Sequence, residues 1–372
     1  QTSPAGGVVV VTDANGDIVE PDASKQYRLL ADTTYWVRAG KYGYKTVERT
    51  ITSEADLKAG VLSISLEAAE AQTLPSYFGD WVSFRGSQNN MGITSAKTPM
   101  NAEEAKELWA VKGGTGWAGA PTPQLLINGQ LYVQSGNKII LIDPDTGETL
   151  KSAKVAGSST YATNPIAYGD GMLFLALDGN DGGRIQALNA ETLESLWISE
   201  KIEGQMISPM TYHNGYLYTG TWYKESGIGS YFMLSTTDED TSRTDETKQV
   251  LWKIDHKGGF YWAGAYATDK FVVFGSDDGT SEGQNAESAV LYSVNPQTGA
   301  AISKLTGLKG DIRSSIAYAD GYVYFTTKAG RLYRAAIDAS GNLGELKYFD
   351  MGYMSTGTPV VYNGVVFAAC SG

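Results

Sequence analysis

Short apolar runs separated by turn residues recur along this chain, and the recurrence is the first thing its pattern shows. Pro209 to Tyr218 is the clearest copy, an apolar run, an Asn-Gly pair and a second apolar run. Pro123 to Tyr132, Pro165 to Phe174 and Pro359 to Phe367 repeat it, with Asn-Gly or Asp-Gly at the centre. Two weaker copies, Ala265 to Phe274 and Ser315 to Tyr324, lack the proline, and only the second keeps its Asp-Gly pair. Each copy predicts a β-hairpin closed by a two-residue turn, because glycine accepts the positive φ such turns require. The closing aromatics Tyr132, Phe174, Tyr218, Phe274, Tyr324 and Phe367 are spaced by 42, 44, 56, 50 and 43 residues.

One hairpin cannot bury both of its faces, so a unit of this size must stack on its neighbours. A period of this length predicts an all-β propeller of four-stranded blades. Six units are visible. The sixth stops just after its second strand, so the last blade is expected to be incomplete and the parent to have seven or eight blades.

The first residues follow a different pattern. Val8 to Thr12 is an apolar strand, Asp13 to Asp17 a turn, Tyr35 to Arg38 a second strand, and Val61 to Leu66 alternates apolar and polar positions. These features predict a small β-sandwich over residues 1–70. Asp13, Asn15 and Asp17 are read as turn residues rather than a calcium loop, because no bidentate glutamate follows. Glu67 to Pro75 is rich in alanine and glutamate. A linker is therefore placed at 71–76 and the propeller at 77–372.

Composition narrows the function. A net charge of −12 excludes a polyanionic partner such as nucleic acid. Cys370 is the only cysteine, so no intrachain disulfide or thiolate cluster forms, and His213 and His256 cannot make a three-histidine zinc site. No apolar stretch is long enough for a membrane-spanning helix. Because Gln1 stands first, the chain is read as mature or trimmed, without an export signal. The acidic runs 237–247, 277–285 and 178–183 are expected to be solvated loops.

Two stretches carry a resemblance to known families. Residues 13–44, with Asp13-Ala-Asn-Gly-Asp17 and Tyr35-Trp-Val-Arg-Ala-Gly40 followed by Gly43-Tyr44, resemble PEGA and carboxypeptidase-regulatory-like modules of bacterial surface and secreted proteins. Trp81-Val-Ser-Phe84-Arg-Gly86, Asn90-Met-Gly92 and Leu108-Trp109 resemble the lead-in of PQQ-like, quinoprotein dehydrogenase-like propellers. The runs around Asp143 to Gly147, Asn189 to Trp197 and Asn295 to Gly299 resemble that family's repeated Asx-turn signature. The resemblance implies that Trp109 sits on an outer strand beside the C-terminal unit. It also implies that Trp109, Trp197 and Trp252 pack between blades.

Dehydrogenases of that family hold PQQ in the central funnel over a calcium ion bound by an acidic side chain and an amide, with an aspartate base and often a vicinal disulfide. This chain has no vicinal cysteines and shows no acid and amide set that transfers residue by residue. The reading is therefore a non-catalytic extracellular or cell-envelope binding or scaffold protein of bacterial type. No cofactor or metal is expected, and the propeller mouth takes a glycan, peptide or protein partner. The alternative is a PQQ-dependent quinoprotein dehydrogenase. Loops leading into the innermost strands line the mouth and place there Trp117, Tyr161, Met206, Tyr261, Trp262, Arg313 and Met354, with Trp222 and Tyr223 beside it. Aromatic rings with one arginine suit a sugar or peptide, and plugging of the channel is the plainer role for the same side chains.

Overall fold

In this computed structural model the described residues are 1–372 except 16, 42, 43, 46, 53–59, 69–79, 95, 97, 112–121, 158–163, 178–181, 245, 282–285 and 372. The chain forms two compact units, Gln1–Thr73 with Val361–Phe367, and Leu74–Val360 with Ala368–Gly372. The architecture is all-β, built from sheets of two to five strands that are mainly antiparallel.

In the first unit, β1 (Thr2–Ser3), β2 (Val8–Thr12), β3 (Tyr35–Gly40), β4 (Val47–Ile51) and β5 (Ile64–Ser65) make two small sheets. One is the antiparallel β2-β3-β4; the other is the parallel pair β1-β5. Alternation along β3 buries Tyr35, Val37 and Ala39 and leaves Trp36 and Arg38 outward. Val11, Ile51, Ile64 and Leu66 complete that core. Asp13 Oδ1 accepts the backbone N–H groups of Asn15 at 2.8 Å and Asp17 at 3.0 Å, which is Asx-turn chemistry.

In the second unit each predicted hairpin opens a sheet. The first sheet is β6 (Leu125–Ile127), β7 (Gln130–Ser135), β8 (Lys138–Ile142) and β9 (Thr149–Lys154). The second is β10 (Ala167–Gly169), β11 (Met172–Leu177), β12 (Arg184–Asn189) and β13 (Ser195–Ser199). The third is β14 (Thr211–His213), β15 (Tyr216–Gly220), β16 (Ile228–Ser235) and β18 (Trp252–Lys257), while the intervening β17 (Glu246–Lys248) joins the second sheet. The fourth is β19 (Tyr266–Ala267), β20 (Val272–Gly275), β21 (Ala289–Val294) and β22 (Ala301–Leu308), and the fifth is β23 (Ala317–Ala319), β24 (Tyr322–Thr326), β25 (Arg331–Ile337) and β26 (Leu343–Asp350). The last hairpin, β27 (Val360–Tyr362) and β28 (Val365–Phe367), stands as a two-stranded sheet whose residues from Val361 on group with the first unit.

The turn chemistry follows the sequence. Asn128-Gly129, Asp170-Gly171, Asn214-Gly215, Asp320-Gly321 and Asn363-Gly364 all hold positive φ at both positions, the type I′ geometry that matches strand twist. Aromatic and aliphatic side chains fill the space between consecutive sheets. Leu125 and Leu141 meet Leu173 and Leu175; Phe174 and Trp197 meet Leu217 and Phe232. Tyr231 and Phe274 stack with centroids 3.8 Å apart, and Val273 and Leu291 pack with Phe325 and Tyr333.

Two expectations change. The acidic run 237–247 is not simply a solvated loop: its end pairs in parallel with β13 as β17, and Lys248 is buried with Nζ 2.9 Å from Glu246. Trp109 lies on no strand. Its indole N–H donates to the Pro144 carbonyl at 2.8 Å, packing the ring on the Asx turn of the first sheet. The lead-in segment does tie distant sheets together. Trp81 bridges Leu126 of the first sheet, while Asn90 Nδ2 donates to the carbonyls of Ala265 (2.7 Å) and Ile316 (2.9 Å) beside the fourth and fifth.

Candidate functional site

Four connections of the second unit converge on one buried guanidinium. Arg313 and Asp311 lie between β22 and β23, Asp277 and Asp278 just after β20, Glu225 and Trp222 between β15 and β16, and Tyr261 and Trp262 between β18 and β19. Arg313 Nη2 sits 2.5 Å from Glu225 Oε2, 2.6 Å from Asp277 Oδ2 and 3.0 Å from Asp311 Oδ2. Its Nε–H also donates to Asp277 Oδ2 at 3.1 Å. Its Cζ lies 4.3 Å from the Tyr261 ring centroid. Lys328 Nζ, from the β24 to β25 connection, reaches Asp311 Oδ2 at 3.5 Å.

The backbone holds these groups in place. Asp277 and Asp311 have no exposed surface, and Asp278 is 4 % exposed. The Asp277 N–H donates to the Gly259 carbonyl at 3.0 Å, and a Cβ at Gly258 would meet Gly279 N at 2.6 Å, so only glycine lets these loops approach so closely. His256 donates from Nε2 to the Asp277 carbonyl (3.1 Å) and accepts the Tyr292 hydroxyl at Nδ1 (2.8 Å). Burial holds the His256 imidazole below its ordinary value, with the Asp277 carbonyl opposing and Lys304 reinforcing.

The charges do not balance. Glu225, Asp277 and Asp311 face Arg313 and Lys328, and Asp278 adds a fourth acid. One oxygen each from Glu225, Asp277 and Asp311 lie within 4.8 Å of one another, the spacing of a metal-chelating set among the described residues. Burial pushes the Asp311 carboxyl up to about 6 and the Asp277 carboxyl well above its usual range, although Arg313 pulls both down. Arg313 itself stays charged: burial works against it, but Asp277, Asp311 and Glu225 together outweigh that cost. Asp278 Oδ2 has no hydrogen-bond donor, and Asp311 Oδ2 receives no aligned one despite its ion pairs. The site therefore gathers more carboxyl oxygen than Arg313 and Lys328 can satisfy, and oxygen donors suit a hard cation.

Of the residues singled out in the sequence, Arg313, Tyr261, Trp262 and Trp222 come together. Tyr261 meets Trp222 edge-on at 5.0 Å and Trp262 at 4.6 Å. Trp262 takes φ 55°, a strained value for a bulky side chain, and both indole N–H groups are buried without an acceptor. Tyr223 is 55 % exposed, Met354 also faces outward, and Met206 is buried in the core between the second and third sheets. Trp117 and Tyr161 lie outside the described residues.

The acidic half of the site was missed. Asp277 and Asp278 belong to a run read as a solvated loop, yet they are buried directly behind the apolar strand β20. Glu225 and Asp277 come from connections between the second and third strands, where the sequence pattern singles out only Trp222 and Tyr223 beside the mouth. The available signal was Asp311, two residues from Arg313 in a stretch that buries Ile312, Ser314 and Ser315.

Residues 98–220 match the family described as outer membrane protein assembly factor BamB. The relationship to these propellers is a distant one. It is consistent with a bacterial cell-envelope protein. The chain is also similar to quinoprotein alcohol dehydrogenase PedH of Pseudomonas putida, 28 % identical over 44 % of this chain and 26 % of that protein. It thus spans about a quarter of that relative's length. Among solved structures it shares the fold of a europium-containing methanol dehydrogenase (TM-score 0.55, 14 % identity, 73 % of this chain and 58 % of that one). Quinohemoprotein alcohol dehydrogenase ADHIIG from Pseudomonas putida HK5 is similar too (TM-score 0.53, 14 % identity, 72 % and 48 %). Similarity to quinoprotein dehydrogenases, together with the buried carboxylate cluster, overturns the expectation that the protein is simply not an enzyme. Among the described residues no helix is long and apolar enough to cross a membrane.

Proposed function

We propose that the loops around Arg313 form the catalytic centre of a quinoprotein-dehydrogenase-like oxidoreductase acting on a hydroxyl-bearing substrate in the bacterial cell envelope. The observation that carries this reading is the gathering of carboxylate oxygen from the fully buried Asp277 and Asp311 and the partly exposed Glu225. The donor set fits a hard cation, since it is all oxygen and more acidic than Arg313 and Lys328 can neutralise. The flat faces and unpaired indole N–H groups of Trp222 and Trp262 fit a planar, oxygen-rich quinone such as PQQ. When bound, such a quinone supplies a two-electron acceptor and the cation polarises it.

The chain's own residues do the rest. Glu225, Asp277 and Asp311 would hold the cation, His256 and Gly259 fix the Asp277 backbone, and the Trp222, Tyr261 and Trp262 rings would limit water at the centre. Residues 77–372 are read as the propeller that presents this centre. Residues 1–70 are read as the PEGA-like module, a reading supported by the β2-β3-β4 sheet.

The test is dye-linked oxidation of short alcohols and aldoses by the full chain with added PQQ and either calcium or a lanthanide. Turnover that disappears in Asp277→Asn is the expected result. Absence of turnover, combined with no binding of Ca²⁺ or Tb³⁺, would sink the reading.

A further inference from the structure

The geometry points to Arg313 as the site's resident counter-ion, a built-in competitor that occupies the cation position and must give way before a metal ion is held. This inference rests on the reading of Glu225, Asp277 and Asp311 as a cation site and adds the residue that sets its affinity.

Arg313 Nη2 lies within 3.0 Å of one oxygen from each of the three carboxylates. Those oxygens are themselves within 4.8 Å of one another. A hard cation bound by the same oxygens takes ligands at 2.0–2.6 Å and so belongs in the space this nitrogen fills. Guanidinium and metal ion cannot share it, both because their volumes overlap and because like charges so close repel strongly in a buried setting.

A second observation says that the guanidinium is an incomplete substitute. Asp311 is fully buried and turns Oδ2 toward Nη2 and Lys328 Nζ, yet receives no aligned hydrogen bond from them, and among the described residues the neighbouring Asp278 Oδ2 has no hydrogen-bond donor. The planar fork meets Asp277 through Nε and Nη2 and Glu225 through Nη2, which leaves Nη2 itself no N–H for Asp311. A spherical ion has no such directional limit. Arg313 also has a contact that owes nothing to the carboxylates, the Tyr261 ring 4.3 Å away, so displacement from the acids does not strip it of every partner. The arginine thus preassembles three carboxylates that would otherwise repel, and does so by lowering the site's affinity for metal.

The measurement is Tb³⁺ binding to the full-length chain, followed by luminescence sensitised by nearby tryptophan, with Ca²⁺ competition. Arg313→Gln, which removes the charge and keeps a polar side chain, is expected to bind Tb³⁺ at least tenfold more tightly than wild type. Arg313→Lys serves if the glutamine variant does not fold. Its single ammonium reaches fewer of the three acids, and at least a threefold gain is expected. Binding equal to or weaker than wild type in the folded variant overturns the proposal while leaving the cation site intact. No Tb³⁺ binding by wild type or either variant overturns the cation site and this proposal with it. Asp277→Asn and Asp311→Asn report whether the signal comes from this site, since each should weaken Tb³⁺ binding, and unchanged binding in both also overturns the proposal.

Discussion

Gly147 and Gly299 close equivalent turns, and each lies under a tryptophan ring. A Cβ at Gly147 would be 2.6 Å from Trp109, and one at Gly299 would be 2.8 Å from Trp252. Each of those indoles donates to a proline carbonyl of the turn it covers, Pro144 and Pro296. The turn of the second sheet differs at both places. Leu193 replaces the glycine at φ 63°, and Lys151 donates to the Glu191 carbonyl at 2.9 Å from the strand before it. Here the Ala190 carbonyl, equivalent to those of Pro144 and Pro296, accepts the Tyr132 hydroxyl at 3.1 Å, and with no tryptophan at this turn Leu193 joins the core between the first two sheets. Gly299→Ala is expected to cost about 2–4 kcal/mol by urea unfolding, from the positive φ and the clash together. Leu193→Gly should also destabilise, by about 2–4 kcal/mol of lost packing. Combined with Lys151→Trp its cost should shrink by about 1 kcal/mol or more in a double-mutant cycle. Simple additivity would show that ring and side chain do not exchange for one another.

The same scale governs pH dependence. Asp311 titrates near 6 in the fold and at about 3.9 in an unfolded chain. Between those values the folded protein binds more protons than the unfolded one. Asp311's contribution to stability is thus fully present below about pH 4 and lost as pH rises through about 6. Asp311→Asn cannot titrate. Its stability relative to wild type should improve by about 1–3 kcal/mol on going from pH 4 to pH 7 without metal. A difference that is flat with pH, or moves the other way, would show that Asp311 is ionised throughout.

At the scale of elements, what could be read in advance is what local chemistry determines. The paired positive-φ turn residues fix five of the hairpins, and the carboxylate or amide at Asp143, Asn189 and Asn295 fixes the Asx turns, each accepting two backbone N–H groups. Both signals act within a few residues. Parallel pairing of β17 with β13 depends on where an insertion returns, which no local pattern encodes. The acidic site was hidden for a similar reason: Glu225, Asp277 and Asp311 are 34 or more residues apart, and each alone looks like a loop carboxylate. Asn90 shows how much one such long-range residue carries. Its amide joins Ala265 and Ile316 from a backbone at φ 54°, so Asn90→Ala should lose two buried hydrogen bonds and cost about 2–4 kcal/mol. A smaller loss, under about 1 kcal/mol in thermal unfolding, would mean that water replaces the amide without penalty.

At the scale of the whole molecule, the buried cores fall into separate clusters, while the last hairpin, Val361–Phe367, groups with Gln1–Thr73 although its pattern repeats that of the large sheets. Val11, Tyr35, Val37, Ala39, Ile51, Ile64 and Leu66 form one cluster drawn only from the first residues. The buried members of the four clusters between the large sheets run from Leu125 to Ile337, with Val82, Leu343 and Leu346 packed against them. Stacked sheets of this kind gain stability mainly from neighbour to neighbour contact. Removal of residues 1–75, which supply no buried member of those four clusters, should leave their cooperativity in place. A chain beginning at Ser76 is therefore expected to stay soluble and melt in one transition, within a few degrees of the main transition of the full chain. It should also bind Tb³⁺ with the same affinity, since every ligand and Arg313 lie beyond residue 220. An insoluble or gradually melting product would show that residues 1–75 complete the larger fold. Retained cooperativity with lost Tb³⁺ binding would instead show that they shape the loops at the site.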